Sequence, residues 1–141
     1  MNESDETRRE FVLKRTCTPA EAITLLMDRF PTILKLAESS ETLAEMGPYY
    51  VYGTFADEVR RRNIDQNFLK SFGLFANELS DSTDPMLRDL LVTAILERVA
   101  DDPGTAAKVR PYLGPRAQAM LNQVEKDWFG RATDSIETKE T

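Results

Sequence analysis

The sequence of 141 residues contains no histidine and a single cysteine, Cys17. Histidine is the usual general base near neutral pH, the partner of nucleophilic serine and cysteine, and the commonest metal ligand. A lone cysteine forms neither an internal disulfide nor a thiolate metal cluster. These shortages argue against catalysis, so we predict that the chain is not an enzyme and that it binds no metal and no cofactor.

Long apolar segments are also missing. The uninterrupted apolar runs span only a few residues, as at 49–52, which is too short to cross a bilayer. The N-terminal stretch 1–10 is polar and charged and does not have the basic-then-apolar order of a secretory signal. We therefore expect a cytoplasmic protein with no membrane partner.

The composition is that of a globular protein. Hydrophobic residues make up 41% of the chain and charged residues 30%, which is neither a disordered nor a membrane composition. A chain of this length can close one hydrophobic core but is too short for two ordinary domains. Residues 1–10 and 131–141 are polar and lack periodicity, so we predict disordered tails on either side of one helical domain over 11–130.

The charge balance bears on the class of partner. Net charge is −6; residues 1–10 hold four acids and two bases, and residues 131–141 hold three acids and two bases. The tails therefore carry half of the charge and leave −3 for the body. An acidic body is repelled by nucleic-acid phosphates and by anionic lipid, so a protein partner is favoured and no nucleic-acid partner is expected.

The first helix is predicted to begin at Thr18-Pro19-Ala20-Glu21, a capping box with proline at the first helical position. A helical stripe of apolar residues follows, and Pro31 interrupts it, so this proline either kinks one helix or separates two. A polar stretch from Ser39 then leads to the Gly47-Pro48 breaker pair. The residues of the apolar stripe are Ile23, Leu26, Met27, Phe30, Ile33 and Ala37.

Two amphipathic helices are predicted between Pro48 and Leu79. From Pro48 to about Arg62 the apolar residues share one helical face. A strand over 49–52 is the alternative, since aromatic and β-branched residues favour sheets, but the helical pattern continues beyond it. A second helix is expected from about Asp65. The predicted buried residues are Val51, Tyr52, Phe55, Ala56 and Val59 in the first of these helices and Phe68, Phe72, Phe75 and Leu79 in the second.

A helix that begins at Asp84-Pro85 is predicted to lie at the centre of the fold. Apolar residues occupy almost its whole circumference as far as Ala100, which is typical of a helix surrounded by others. A loop at 101–104, a short helix over about 105–112, and a final helix from Gly114-Pro115 to near Gly130 follow. One face of the final helix is predicted to be lined by Ala117, Met120, Leu121, Val124 and Trp128.

These elements predict an all-α fold, an irregular bundle of five or six helices, with a short stack of helix pairs as the alternative. The segment Asp84-Pro85-Met86-Leu87-Arg88, followed by Ala94, resembles part of a HEAT-type repeat, whose stacked helix pairs form protein-binding surfaces. A solenoid needs at least about three such units, and only one is visible. The irregular bundle is therefore favoured.

A candidate partner-binding face lies on the helix that follows Pro48. On a helical wheel Tyr50, Gly53, Asp57 and Arg61 lie near one another, away from the apolar stripe, with Tyr49 at its edge. Tyrosine and arginine are favoured binding anchors because each combines a large contact area with a polar tip. We therefore predict a partner site at Tyr49, Tyr50, Asp57 and Arg61. Packing of Tyr50 against the preceding loop or another helix is the structural alternative, and the stronger of the two.

Four other features have structural explanations that outweigh the functional ones. The run Arg60-Arg61-Arg62 fits a phosphate or an acidic partner, but cations also stabilise a helix C-terminus by about 0.3–1 kcal/mol. Glu97 on the central helix would have a raised pKa if it were held among apolar groups, yet near the helix end it is expected to reach solvent or an arginine. Asp101-Asp102 lacks the ligand spacing of a calcium loop. Cys17 has no histidine to activate it.

Four short segments resemble the markers of a bacterial all-helical domain family of unknown function. They are Tyr50-Val51-Tyr52-Gly53-Thr54-Phe55, then Leu90-Leu91 with Leu96-Glu97, and Tyr112-Leu113-Gly114-Pro115. The resemblance covers roughly residues 49–121. It implies a small immunity-type protein, which neutralises a toxin by binding it, and it assigns no functional residues.

A small acidic protein-binding module is thus the expected function, in particular an immunity or antitoxin-like inhibitor of a toxin or other basic protein. Nuclease toxins bind phosphate and are often basic, so complementary charge would speed their association with an acidic inhibitor. The alternative is a helical adaptor or regulatory subunit that forms a homodimer through exposed aromatic residues such as Tyr50. An enzyme ranks third, because without histidine it would need two close carboxylates in a cleft.

Overall fold

The computed structural model describes residues 17–32 and 45–130, which form six helices and contain no strand. The prediction of an all-α bundle of five or six helices is confirmed. The tails at 1–10 and 131–141, and the apolar positions Ile33 and Ala37, lie outside the described residues. The helices are α1 (Pro19–Arg29), α2 (Pro48–Arg61), α3 (Gln66–Asp81), α4 (the consecutive segments Pro85–Asp89, Leu90–Leu96 and Glu97–Ala100), α5 (Pro103–Val109, followed by a 3₁₀ turn at Arg110–Tyr112) and α6 (Pro115–Phe129).

Helix starts follow the predicted capping signals. The Thr18 hydroxyl accepts from the Glu21 backbone N–H at 3.1 Å, and the Glu21 carboxylate accepts from the Thr18 N–H at 3.0 Å, which completes the capping box. Gly47, with φ at 91°, supplies the left-handed turn that precedes α2. α1 ends at Arg29, and Phe30 has left the helical conformation, so Pro31 lies beyond the end of α1 and does not kink it.

A cluster of aromatic rings holds α1, α2 and α3 together. The Phe30 ring at the end of α1 lies 4.6 Å from the Phe55 ring of α2 and 5.6 Å from the Phe75 ring of α3, centroid to centroid. Tyr52 is fully buried beside this cluster, and its hydroxyl donates to the Ala22 carbonyl oxygen at 2.8 Å. The predicted apolar faces of α2 and α3 are therefore confirmed, since they meet in this cluster.

α4 lies at the centre of the bundle, as predicted, and contacts α2, α3, α5 and α6. The middle of this helix, Leu90–Leu96, is a π-helical segment, in which the Glu97 N–H bonds to the carbonyl of Val92 five residues earlier. Helical periodicity at 3.6 residues did not predict this wider turn. The fully buried large side chains of α4 are Leu90, Leu91, Ile95, Leu96 and Val99.

The sequence does contain a signal for the π-helical segment. The buried pairs Leu90-Leu91, Ile95-Leu96 and Val99-Ala100 recur at intervals of five and then four residues. In a regular α-helix, two side chains five residues apart point in very different directions. The wider π turn brings two such side chains closer to the same face of the helix. Burial of all three pairs is therefore compatible with the π geometry.

Asp84 joins the start of α4 to the start of α1. One carboxylate oxygen accepts from the Met86 N–H at 2.9 Å and caps α4, while the other accepts from the Cys17 N–H just before α1. The carboxylate is buried, and its position is fixed further because the Asp84 N–H donates to the Ser82 hydroxyl at 3.0 Å. The Asp84 side chain thus holds the start of α1 next to the start of α4.

A buried ion pair joins the 3₁₀ turn to α6. The Arg110 guanidinium donates to both carboxylate oxygens of Glu125, at 2.8 and 2.9 Å, and Glu125 is buried. Both bonds come from one guanidinium nitrogen, Nη2, and they give the buried Glu125 carboxylate charge-assisted partners in place of water. No buried side-chain nitrogen or oxygen of the described residues lacks a hydrogen-bond partner.

The prediction that Trp128 lines the buried face of α6 is wrong. Ala117, Leu121 and Val124 are buried on that face and Met120 is partly buried, but Trp128 is 65% exposed. Trp128 lies in the last turn of α6, where its side chain forms a hydrogen bond with the Glu97 carboxylate. An indole N–H is a hydrogen-bond donor, and here the Glu97 carboxylate serves as its acceptor while the ring remains exposed.

Two helical glycines provide a matched test of the packing. A Cβ added at Gly73 of α3 would lie 2.5 Å from the Tyr112 carbonyl oxygen and 2.7 Å from its Cβ, whereas a Cβ at Gly53 of α2 would meet the flexible end of Arg98, at 2.8 Å from Nε. Alanine is otherwise favoured over glycine in a helix by about 1 kcal/mol. We expect Gly73→Ala to lower the free energy of unfolding by about 1–3 kcal/mol, because overpacking against backbone costs that much.

Gly53→Ala is the control, since Arg98 can move aside, and its free energy of unfolding should be unchanged or higher. Urea titrations followed by circular dichroism measure both variants. Equal destabilisation by the two substitutions would contradict the close approach of α3 to the 3₁₀ turn.

Candidate functional site

A surface groove of about 340 Å³ lies over the second half of α4, between the C-terminal ends of α2 and α6. Its floor comes from the central helix and its walls from the two flanking helices. Because the rest of the second half of α4 is largely buried by its neighbours, this is a place where the polar side chains of that half reach solvent. The lining residues are Arg60, Thr93, Glu97, Arg98, Asp101, Trp128 and Phe129.

The π-helical segment positions the floor of the groove. Thr93 lies within it, and its hydroxyl donates to the carbonyl of Asp89 at 2.8 Å. Glu97 follows at the residue where α4 returns to α-helical geometry. Such π segments inside α-helices are frequent at functional sites, because the irregular turn changes the direction of the side chains that follow.

Glu97 is the most perturbed carboxylate in the groove. Burial raises the pKa of Glu97, the hydrogen bond from Trp128 acts in the opposite direction, and the negative charge of Asp89 raises the pKa further; the net direction is upward. The predicted environment of Glu97, near the helix end and reaching solvent or an arginine, is therefore only partly right. Glu97 is half-buried, and its observed partner is the tryptophan indole.

Both arginines of the groove form ion pairs with carboxylates that lie outside its lining. Arg98 pairs with Asp57 of α2 at 3.5 Å, and Arg60 pairs with Asp102 at 3.8 Å. Neither Glu97 nor Asp101 forms an ion pair anywhere in residues 17–32 and 45–130. Glu97 and Asp101 are therefore two groove carboxylates outside the ion pairs of the described residues, and they lie beside an exposed indole.

Asp102 has a structural role. Its carboxylate accepts from the Thr105 hydroxyl at 2.9 Å, and Thr105 in turn accepts from the Asn63 side-chain amide at 2.9 Å. The hydrogen bond from Thr105, together with the charge of Arg60, lowers the pKa of Asp102. This network ties the α2–α3 connection to the start of α5 and supports one wall of the groove.

Tyr49 and Tyr50, two of the predicted site residues, are exposed at the start of α2, by 45% and 41% respectively. The Tyr49 hydroxyl donates to the Asp89 carboxylate at 2.5 Å, and this bond, with partial burial, raises the pKa of Tyr49 to about 12. Tyr49 is thus tied to the same side of α4 that forms the groove floor.

The other two predicted residues are paired within the bundle. Asp57 is the ion-pair partner of Arg98, and Arg61 pairs with Glu58 on its own helix. Gly53, which shared the predicted face, is buried beneath the Arg98 side chain. The structure therefore links Tyr49 and Asp57 to α4 and leaves Arg61 at the end of α2, so the four residues do not converge on one centre.

The arginine run lies at the C-terminal end of α2, as predicted, with Arg60 and Arg61 in the last turn and Arg62 at the C-cap. Arg62 pairs with Glu58 at 3.3 Å, and its guanidinium lies 5.9 Å from the centre of the Phe68 ring. With Arg60 and Arg61 also paired, each of the three cations has a carboxylate partner.

Sequence reasoning missed Trp128 and Thr93 as groove residues. Trp128 was assigned to the core because it continues the apolar stripe of α6, although it is the next-to-last residue before the Gly130 cap. A bulky side chain in the last turn of a helix has fewer neighbours to cover it. The position of Trp128 near the end of α6 was therefore the feature of the sequence that could have indicated its exposure. Thr93 is placed by the π-helical segment, which the 3.6-residue period does not indicate.

No protein-family model matches the chain, and searches of curated proteins and of solved structures found no match. Among the described residues, no three potential metal-ligating side chains come together. None of the described helices is both long enough and apolar enough to cross a membrane.

Because the pKa of Glu97 is raised, replacing this carboxyl with a neutral group should increase the free energy of unfolding, by an amount that depends on pH. A carboxyl whose pKa is higher in the folded state stabilises the fold below its unfolded pKa of about 4.5, and this contribution is lost as the pH rises through the folded value. Glu97→Gln keeps an acceptor for Trp128 and stays neutral. We therefore expect this variant to be more stable than the wild type at pH 7, with the difference shrinking towards pH 4.

Urea unfolding at the two pH values measures this difference. Glu78→Gln is the matched control, because Glu78 forms an ion pair with Arg29 and its neutralisation should give no gain at pH 7. A Glu97→Gln variant that is less stable than the wild type at pH 7 would show that the surroundings of Glu97 do not disfavour its ionised form.

Proposed function

We propose that this chain is a protein-binding module of the immunity or antitoxin kind, which inhibits a basic partner by covering it with the acidic groove and the aromatic residues beside it. The observation that carries the proposal is Trp128, whose ring is 65% exposed next to two carboxylates without ion-pair partners in the described part of the chain. Tryptophan is among the residues most enriched at binding hot spots.

A wider contact area is available on the same side of α4. Tyr49 is joined to Asp89, and Asp89 is close enough to Glu97 for its charge to contribute to the raised pKa of that carboxyl. The exposed aromatic residues at the start of α2 and at the end of α6 therefore flank one acidic strip of the central helix. Aromatic anchors around a charged strip supply contact area and orientation together.

The charge of the molecule supports a basic partner. Net charge is −6, and the strip formed by Asp89, Glu97 and Asp101 adds a local concentration of negative charge. Complementary fields raise association rates and disfavour partners of like charge. For the same reason, two copies of this chain would repel each other if they met through this surface, which favours an inhibitor over a homodimeric adaptor.

An enzymatic function is less well supported. Glu97 and Asp101 lie one helical turn apart at the groove, close enough for an acid–base pair, but Asp101 is exposed and the groove is open to solvent. General acid–base catalysis by carboxylates depends on a site that excludes water and positions a substrate. An open, acidic surface with an exposed tryptophan is more typical of macromolecular binding.

Affinity capture with matched variants tests the proposal. The full chain and the Trp128→Ala variant are used as baits in native lysate, with Leu74→Ala as the control because Leu74 is 59% exposed on a different helix. We expect a basic protein to be retained by the wild type and by Leu74→Ala. Its affinity for Trp128→Ala should fall by about 2 kcal/mol, or roughly 30-fold, as is usual for a hot-spot residue.

The captured protein should also lose its own activity when it is bound. Equal retention by all three baits would contradict the proposed surface. A stable dimer in light scattering, with no other partner retained, would favour the adaptor function instead.

A further inference from the structure

The groove over α4 has the charge and shape to receive one side chain of a binding partner. Its volume of about 340 Å³ is near the lower end of the range for ligand pockets, about 300–1,000 Å³. The groove is open on one side, so a side chain that projects from another protein can enter it. The question is which side chain matches its lining.

The pairing of charges favours a cationic occupant over an anionic one. Arg60 and Arg98 would be the ligands of a carboxylate or phosphate, but each already has a carboxylate partner, Asp102 at 3.8 Å and Asp57 at 3.5 Å, with which an anion would compete. An anion would also be brought against the carboxylates of Glu97 and Asp101. A cation meets both of those carboxylates and does not need to displace an existing ion pair.

The geometry favours a planar cation. Asp101 lies one turn after Glu97, with its N–H bonded to the Glu97 carbonyl at 3.1 Å, so the two side chains project from neighbouring positions, with Cβ atoms about 5–6 Å apart. The Trp128 indole lines the groove beside the Glu97 carboxylate, toward which it directs a hydrogen bond. A carboxylate has about four acceptor positions, so Glu97 keeps acceptor capacity for a ligand.

We propose that the groove formed by Trp128, Glu97 and Asp101 binds an arginine side chain of the partner protein. The guanidinium stacks on the indole face and donates to the two carboxylates. Arginine suits this lining better than lysine, because its flat, delocalised cation stacks on aromatic rings and presents several donors in a fixed plane. This proposal rests on the proposed function as a protein-binding module and names the group that the module recognises.

The chain reports on its own groove, because Trp128 is its single tryptophan. The probe is the blocked peptide acetyl-Gly-Arg-Gly-amide, titrated into the full-length protein at low salt while the tryptophan fluorescence is recorded. Saturable binding is expected, with a Kd on the order of millimolar for one stacked and ion-paired side chain. The lysine peptide should bind more weakly, and the neutral citrulline peptide should give no saturable change.

Variants identify the carboxylates involved. Glu97→Gln and Asp101→Asn should each weaken binding of the arginine peptide by about five- to tenfold, since each removes one charge-assisted contact. Asp81→Asn is the matched control: Asp81 is exposed and pairs with Arg116, away from the groove residues, so its neutralisation should leave the affinity unchanged. Circular dichroism verifies that all three variants are folded.

Several outcomes would overturn the arginine site. These are the absence of saturable binding, equal binding of the arginine and citrulline peptides, equal loss in Asp81→Asn, or a stronger response to inorganic phosphate. If the peptide fails to bind while partner capture still depends on Trp128, the binding module stands without an arginine site. If the peptide binds but no partner is retained, the site stands and the proposed function is wrong.

Discussion

The burial of α4 by α2, α3, α5 and α6 is the constraint on which the rest of the structure depends. Apolar side chains cover most of this helix, so its polar residues are confined to the part that no neighbour covers. In the second half of the helix that part contains Thr93 and Glu97, which become the floor of the groove. The position of the groove therefore follows from how the core is packed, since the polar strip lies where the covering helices leave α4 open.

The same burial explains the electrostatic character of the groove. A carboxylate on a central helix loses part of its hydration even at the edge, and burial is accordingly the largest cause of the raised pKa of Glu97. The Trp128 indole both donates to that carboxylate and remains exposed. Keeping a partly desolvated charge and a large aromatic ring at the surface costs stability, and such a cost is common where a surface is used for binding.

Much of the fold could be predicted from the sequence because its signals are local. The capping box at Thr18, the prolines that begin the helices, and the spacing of the phenylalanines in α3 each act within a few residues. The site was less predictable. The π turn in α4 departs from the 3.6-residue period that a helical wheel assumes. The exposure of Trp128 and the pairing of Asp57 with Arg98 depend on contacts between helices that are distant in the chain, and the wheel of one helix contains no information about them.

Amide hydrogen exchange of α4, measured by NMR on the full chain, tests the central claim most directly. If this helix is the covered centre of the bundle, its amides in Leu90–Leu96 should exchange only through global unfolding, more slowly than those on the outer face of α3. Hydrogen-bond couplings should link the Glu97 amide to the Val92 carbonyl. Rapid exchange throughout α4, or couplings with the regular four-residue spacing, would contradict the account.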